Sequence, residues 1–122
     1  MHIAGIDNVS NPIYTSTGEI IYELVGAAQV SGAAQKHSVA VVVIAPGKSS
    51  AAHHHLVSEE TYYILRGQAR MVIDDRTFEL GPGQACLIEP FERHQISNIG
   101  DGDLEFVAVC APPWQPDDSI FA

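Results

Sequence analysis

The residues most capable of chemistry in this sequence are three consecutive histidines, His53, His54 and His55. On an extended strand, residues i and i+2 share a face, so His53 and His55 point one way and His54 points the other way. Two imidazoles that share a face can both reach one metal ion, and imidazole suits Zn, Cu, Fe and Ni. A histidine run is also compatible with a solvated loop, so the run alone leaves metal binding open.

Further donors for a metal ion lie later in the chain. Glu59 and Glu60 stand just ahead of the apolar run 61–65, and His94 follows Pro90 and opens another short run. An added carboxylate suits Fe or Mn. Together with the histidine run, these residues favour a site for one divalent transition metal.

The elements that position these residues are short apolar runs separated by turn signals, which predict an all-β fold. We predict at least eight strands, at 19–25, 38–45, 61–65, 69–73, 77–80, 85–89, 95–98 and 104–110. The residues Asp74-Asp75-Arg76 are typical of a hairpin loop, and the Ala-rich residues 27–34 are predicted to form a loop. Strand spacing of roughly 8–12 residues is typical of a sandwich or barrel.

The spacing of these residues resembles the two signature motifs of the cupin superfamily, over about residues 38–110. The first motif has gaps of five, one, four and six residues, which here separate Gly47, His53, His55, Glu60 and Gly67. The second motif has gaps of ten and three residues, which here separate Gly83, His94 and Asn98.

This resemblance implies a cupin double-stranded β-helix, a jelly-roll barrel of antiparallel strands, with one metal ion inside. Its ligands, carried over position by position, are His53, His55, Glu60 and His94. On a five- or six-coordinate ion, three neutral imidazoles and one carboxylate leave one or two coordination positions open, as a catalytic metal requires. Fe, Mn, Ni and Zn are all compatible with the resemblance.

The chain of 122 residues is predicted to be a single cupin domain, 1–122. The motif-bearing barrel is placed at 38–110, after an N-terminal strand region at 1–37. The Pro-rich tail is placed at 111–122, and its residues 111–116 cannot form a regular β-ladder, because three of these six are prolines, which lack the N–H group. We therefore predict a strap on the barrel surface, with Trp114 packed down.

Two further residues are candidates for catalysis. Tyr62 shares a strand face with Glu60, so its phenol could hydrogen-bond a substrate, or it could simply fill the barrel. Glu89 stands where the family usually has a turn proline, and it could act as a general acid or base or lie in solvent. Glu59 is predicted to point outward, and His54 is predicted to face away from the metal.

The resemblance includes small single-domain cupins, among them ones likened to mannose-6-phosphate isomerase. It implies a metal-dependent enzyme of the isomerase, lyase or cyclase type that acts on a small carbonyl or sugar-like substrate. A non-haem metal dioxygenase is the first alternative, because the same donor set admits redox metals. A non-catalytic module that binds or senses a small molecule is the second. Small cupins often pair, so the resemblance also implies a homodimer, which would cover open strand edges.

Charge and hydropathy disfavour several classes of partner. Fifteen acidic and six basic residues give a formal net charge of -9, which disfavours binding to nucleic acid or to an anionic membrane. No apolar run approaches the roughly 18 residues of a membrane span. Residues 1–10 lack the basic and apolar regions of a signal peptide, so we expect a cytoplasmic protein with a small-molecule substrate.

Overall fold

The computed structural model describes residues 1–27 and 33–121, and antiparallel β-structure dominates them. The strands are β1 (Ile13–Tyr14), β2 (Glu19–Val25), β3 (Ser38–Ile44), β4 (His54–His55), β5 (Glu59–Arg66), β6 (Ala69–Ile73), β7 (Arg76–Leu80), β8 (Ala85–Ile88), β9 (His94–Asn98), β10 (Leu104–Ala111) and β11 (Ser119–Ile120). Short 3₁₀ turns occur at Ile6–Asn8 and Pro116–Asp118. Within the described residues, no helix has the length and hydrophobicity that a membrane crossing requires. The loop predicted at 27–34 lies mostly outside the described residues.

Most strands coincide with the apolar runs of the sequence. Strands β2 and β6 have the predicted bounds, whereas β5 extends beyond the predicted run at both ends. The hairpin loop between β6 and β7 consists of Asp74 and Asp75, because Arg76 already belongs to β7. Asp74 has a positive φ of 52°, a conformation that Asp tolerates better than most residues. The two-residue strands β1, β4 and β11 were not predicted, because runs this short have no periodicity.

Three sheets form the wall of the barrel. One has six strands in the order β1-β2-β3-β10-β5-β8, one has three in the order β7-β6-β9, and one pairs β11 with β4. All of these pairings are antiparallel. Isolated bridges from Ser49 to Ser97 and from His53 to His94 attach the segment after β3 to β9. The predicted all-β antiparallel class is therefore confirmed.

Alternate side chains of each strand point into the barrel, as strand β10 shows. Phe106 is fully buried there, and its neighbour Val107 is part-exposed. Phe106 belongs to one apolar cluster with Ile64, Met71 and Ile96, which are also fully buried. Burial of each of these large side chains contributes about 1.5–3 kcal/mol to the free energy of unfolding. This packed core supports the strands that carry the candidate site.

The C-terminal tail attaches to the barrel through specific contacts. Strand β11 pairs with β4, and the Asp118 carboxylate accepts hydrogen bonds of 3.0–3.1 Å from the backbone N–H groups of residues 56–58. Trp114 is part-buried; its backbone N–H donates to Oγ of Ser38 and its indole Nε1 donates to Oγ of Ser119. The tail therefore holds β4, the strand that contains two of the three consecutive histidines.

Candidate metal centre

Backbone pairing brings the four predicted metal ligands together. The N–H of His53 donates to the carbonyl oxygen of His94 at 3.0 Å, and the N–H of His94 donates to that of His53 at 2.8 Å. His55 is held by the pairing of β4 with β11, and Glu60 lies near the start of β5. One ligand atom of each residue lies within 4.8 Å of the ligand atoms of the other three.

The histidine rings are anchored in the tautomer that suits metal binding. Nδ1 of His53 and Nδ1 of His94 each lie 2.9 Å from the carbonyl oxygen two residues earlier in the chain. Nδ1 of His55 lies 3.3 Å from the carbonyl oxygen of Asp118. A carbonyl oxygen only accepts hydrogen bonds, so each Nδ1 is the donor, and in the neutral ring each Nε2 keeps a lone pair. Such hydrogen bonds through the second nitrogen are typical of metal-ligating histidines.

The carboxylate of Glu60 completes the cluster. Its Oε1 lies 3.3 Å from Nε2 of His55 and 3.4 Å from Nε2 of His94, and its Oε2 accepts a hydrogen bond from Sγ of Cys110 at 3.0 Å. Two ligands that bind a metal at right angles with bonds of about 2.1 Å are about 3 Å apart. Nε2 of His94 is buried and has no hydrogen-bond partner among the described residues. This orphaned nitrogen and these spacings fit a bound metal ion.

Electrostatics favour the donor forms of most of these side chains. Burial, assisted by His94, lowers the pKa of His53 to about 4, so its imidazole is neutral near pH 7. Burial alone would raise the pKa of Glu60, but the imidazoles of His55 and His94 outweigh it and hold that pKa well below its usual range. Burial alone would lower the pKa of His55, but the contact with Glu60 outweighs it and raises that pKa. Metal binding must therefore compete with a proton at His55.

A cavity of about 360 Å³ lies beside the cluster and has His53, His55 and Glu60 in its wall. Small side chains such as Ala40 and Ala108 leave this space, and most of the lining is apolar. No lysine or arginine lines the cavity within the part of the chain that the structure describes. Cavities of this size hold small molecules.

The two predicted catalytic residues lie in different places. Tyr62 is buried, lines the cavity, and has its ring centroid 6.0 Å from that of His94. Burial raises the pKa of Tyr62 well above its usual value, so the phenol keeps its proton near pH 7. Glu89 is exposed and lines a separate depression together with Glu92. The structure therefore brings Tyr62 to the cluster and does not bring Glu89 there.

The two residues expected to point away from the cluster do so. Glu59 is exposed at the start of β5. The His54 ring stacks on Phe91, with the ring centroids 6.3 Å apart. Neither residue contributes a ligand atom to the four-residue cluster.

Two buried carboxylates that sequence reasoning missed, Glu19 and Glu23 of β2, also line the cavity. They are four residues apart and therefore share a strand face. The intervening Ile20 and Tyr22 point to the other face and are part-exposed. The alternation in the sequence shows that the two glutamates share a face, but it does not show that this face is the inner one.

The chain belongs to the cupin domain family, because the model of that family matches residues 40–110. It is also 35% identical over 108 residues to an uncharacterised protein of Methanocaldococcus jannaschii, a match that covers 88% of this chain and 85% of that protein. The family predicted from motif spacing is therefore confirmed. The finer likeness to mannose-6-phosphate isomerase stays a prediction.

Similar solved structures include two oxalate decarboxylases. The Lactobacillus farciminis enzyme, in a formate complex, has a TM-score of 0.78 and 30% sequence identity, over 91% of this chain and 33% of that chain. The Bacillus subtilis enzyme, which has Mn(II) centres, has a TM-score of 0.74 and 27% identity, over 87% of this chain and 29% of that chain. The present chain thus spans about a third of each enzyme. This likeness confirms the predicted double-stranded β-helix.

Proposed function

We propose that this protein is a metal-dependent enzyme of the isomerase, lyase or cyclase type that acts on a small, neutral carbonyl or sugar-like compound. The main support is the position of the four-residue cluster, made of His53, His55, His94 and Glu60, beside a cavity large enough for a small molecule. The donor set suits Fe, Mn, Ni or Zn and leaves coordination positions free. When bound there, such an ion would act as a Lewis acid towards a carbonyl oxygen of the substrate.

The protein's own side chains supply binding and orientation. The apolar wall excludes water and packs against a carbon skeleton, and Trp114 and Phe121 of the tail form part of that wall. Tyr62 can donate a hydrogen bond to a substrate oxygen in the cavity, because its phenol keeps its proton. The predicted role of Glu89 as acid or base requires a substrate that extends out of the cavity.

Oxalate is the competing substrate that the names of the similar decarboxylases suggest. A bound divalent ion brings two positive charges, of which Glu60 offsets one, so a dianion in this cavity still requires further positive charge. Among the described residues no lysine or arginine lines this cavity, whereas three carboxylates do, those of Glu19, Glu23 and Glu60. The charge of the wall therefore favours a neutral substrate over oxalate.

Metal content, measured by elemental mass spectrometry on tag-free protein, is the first test. We expect a near-stoichiometric transition metal in the wild type and in the control His54→Ala, and loss of that metal in His53→Ala/His55→Ala. A wild type that stays empty after reconstitution with Fe, Mn, Ni and Zn contradicts the enzyme proposal. That result would favour a non-catalytic binding module.

A substrate screen with the loaded protein then separates the reaction classes. Incubation of hydroxyacetone and dihydroxyacetone in D₂O, followed by NMR, reports exchange of the protons beside the carbonyl. We expect exchange without oxygen consumption and no release of formate from oxalate. Oxygen-dependent turnover would favour the dioxygenase alternative, and formate release would overturn the preference for a neutral substrate. Binding without turnover under every metal would favour a sensing module.

A further inference from the structure

Glu19 is a cavity residue that the four-residue cluster does not use. Its side chain is 9% exposed and lines the cavity together with His53, His55 and Glu60. Its backbone N–H donates to Oγ1 of Thr15 at 2.9 Å, and the N–H of Thr15 donates to its carbonyl oxygen at 3.0 Å. These two hydrogen bonds fix the first residue of β2 and hold its side chain on the cavity side of the sheet.

The charge state of Glu19 differs from that of the groups around it. Burial, reinforced by the negative charge of Glu60, raises the pKa of Glu19 to about 7, although Thr15 and His94 oppose this shift. In metal-free protein both the protonated and the ionised form are therefore populated near neutral pH, and a cation in the same cavity favours the ionised form, which is the one that accepts a proton. A group that is populated in both forms can take up a proton and return it.

Tyr62, Cys110 and Glu60 line the same cavity and are less suited to exchange a proton near pH 7. Burial raises the pKa values of Tyr62 and Cys110 well above their ordinary ranges, so both side chains stay protonated. Glu60 stays ionised among the imidazoles of His55 and His94. The remaining groups in the lining are His53 and His55, which belong to the four-residue cluster, and Glu23, on the same strand as Glu19.

We propose that Glu19 is the proton-transfer group of this cavity, an inference that rests on the proposed function. The carboxylate of Glu19 takes a proton from the carbon beside a substrate carbonyl. The C–H electron pair forms the C=C bond of an enolate, and the C=O electron pair moves to the substrate oxygen, which faces the four-residue cluster. When the Glu19 carboxyl exchanges its proton with solvent water and returns one to the same carbon, the result is hydrogen exchange. In an α-hydroxy carbonyl compound, return of the proton to the former carbonyl carbon, with the hydroxyl proton moving to the other oxygen, gives an isomerisation. Neither outcome involves net oxidation.

Variants of Glu19 test this role through exchange kinetics and metal affinity. We expect Glu19→Gln to bind Zn²⁺ and Mn²⁺ within about tenfold of the wild type, because loss of one nearby negative charge weakens cation binding modestly, and to slow deuterium exchange into hydroxyacetone at least about 100-fold. Glu19→Asp keeps the carboxyl group and should restore part of the rate. The exposed Glu79→Gln is the control and should match the wild type. Unchanged exchange in Glu19→Gln, or loss of its metal, would overturn the proposal.

A second readout reports the position of Glu19 without any turnover. In protein labelled with ¹³C-glutamate, Glu19→Gln identifies the carboxyl resonance of Glu19, which we expect to titrate near neutral pH in metal-free protein. Loading with Zn²⁺ should lower that pKa, because positive charge in the same cavity favours the carboxylate. A titration that metal loading leaves unchanged would show that Glu19 does not face the site. If the wild-type protein catalyses no deuterium exchange into any ketone, the proposed function is contradicted. If Glu19→Gln retains the exchange rate of the wild type, only the role of Glu19 is contradicted.

Discussion

Both faces of the six-stranded sheet carry apolar side chains, but the inner face also carries buried carboxylates. The inner face carries the buried carboxylates of Glu19, Glu23 and Glu60 beside the apolar core. The outer face of β2, by contrast, carries Ile20 and Tyr22. Apolar side chains also occupy outer positions of the neighbouring strands, among them Val39, Val43, Tyr63, Leu65, Leu87, Val107 and Val109. An antiparallel sheet with one solvated face normally places its polar residues on that face.

This difference between the two faces indicates that they serve different purposes. Buried carboxylates cost free energy unless partners compensate them, so three of them on one face are consistent with a functional site. An exposed apolar surface marks a place where another molecule binds. We therefore relate the inner face to chemistry and the outer face to self-association, and four experiments can break or sharpen this division.

The largest difference between the faces is expected in metal affinity. His53→Ala/His55→Ala removes two inward donors and should weaken Zn²⁺ and Mn²⁺ binding more than about 100-fold. His54→Ala removes the outward ring of the same run and should leave affinity within about twofold. Competition titration with a chelating dye measures both values. Equal losses in the two variants would mean that the alternation of the three histidines has no functional meaning.

A smaller but still large difference is expected in the free energy of unfolding. Phe106→Ala opens a cavity in the core and should cost about 3–5 kcal/mol. Val107→Ala, one residue further along β10 and on the outer face, should cost about 1 kcal/mol. Urea denaturation of metal-free protein measures both. Similar costs at the two positions would contradict the separation of a packed inner face from a part-exposed outer face.

Glu19 makes the stability of the metal-free protein depend on pH. Its pKa is raised to about 7 from 4.5, so the folded protein binds more protons than the unfolded chain between these values. The stability that the protonated carboxyl allows is therefore full below about pH 4.5 and is lost as the pH rises through about 7. The full loss is about 3 kcal/mol. Urea denaturation across this range should show a smaller loss in Glu19→Gln, in which the part due to the raised pKa of His55 remains, and the control Glu79→Gln should retain the full loss.

The outer face should control oligomeric state, with little effect on the fold. We expect the wild type to be a homodimer, and Tyr63→Glu and Leu87→Glu to be monomers, because each places a charge among exposed apolar side chains. Thr77→Glu, at an exposed position of β7 in the three-stranded sheet, is the matched control. Size-exclusion chromatography with light scattering measures the mass. A monomeric wild type at micromolar concentration, or a dimer that survives both changes, would contradict this use of the outer face.

Much of the metal centre could be predicted because its information is local. The alternation of His53, His54 and His55 on a strand places two rings together, and the motif gaps relate them to Glu60 and His94. The structure gathers these four residues in one cluster, while their binding of a metal stays a prediction. The positions of most strands were also predictable, because an apolar run between turn signals is a property of adjacent residues.

The sequence by itself thus determined the antiparallel all-β class, the positions of most strands and the four residues of the cluster. Tertiary structure alone decided that Glu19 faces inward, that Glu89 lies outside the cavity and that the tail pairs with β4. The physical reason is that strand periodicity states which residues share a face, whereas packing against distant strands decides which face is buried. A carboxyl group acquires its charge state from that burial, so its chemistry could not be read before the fold.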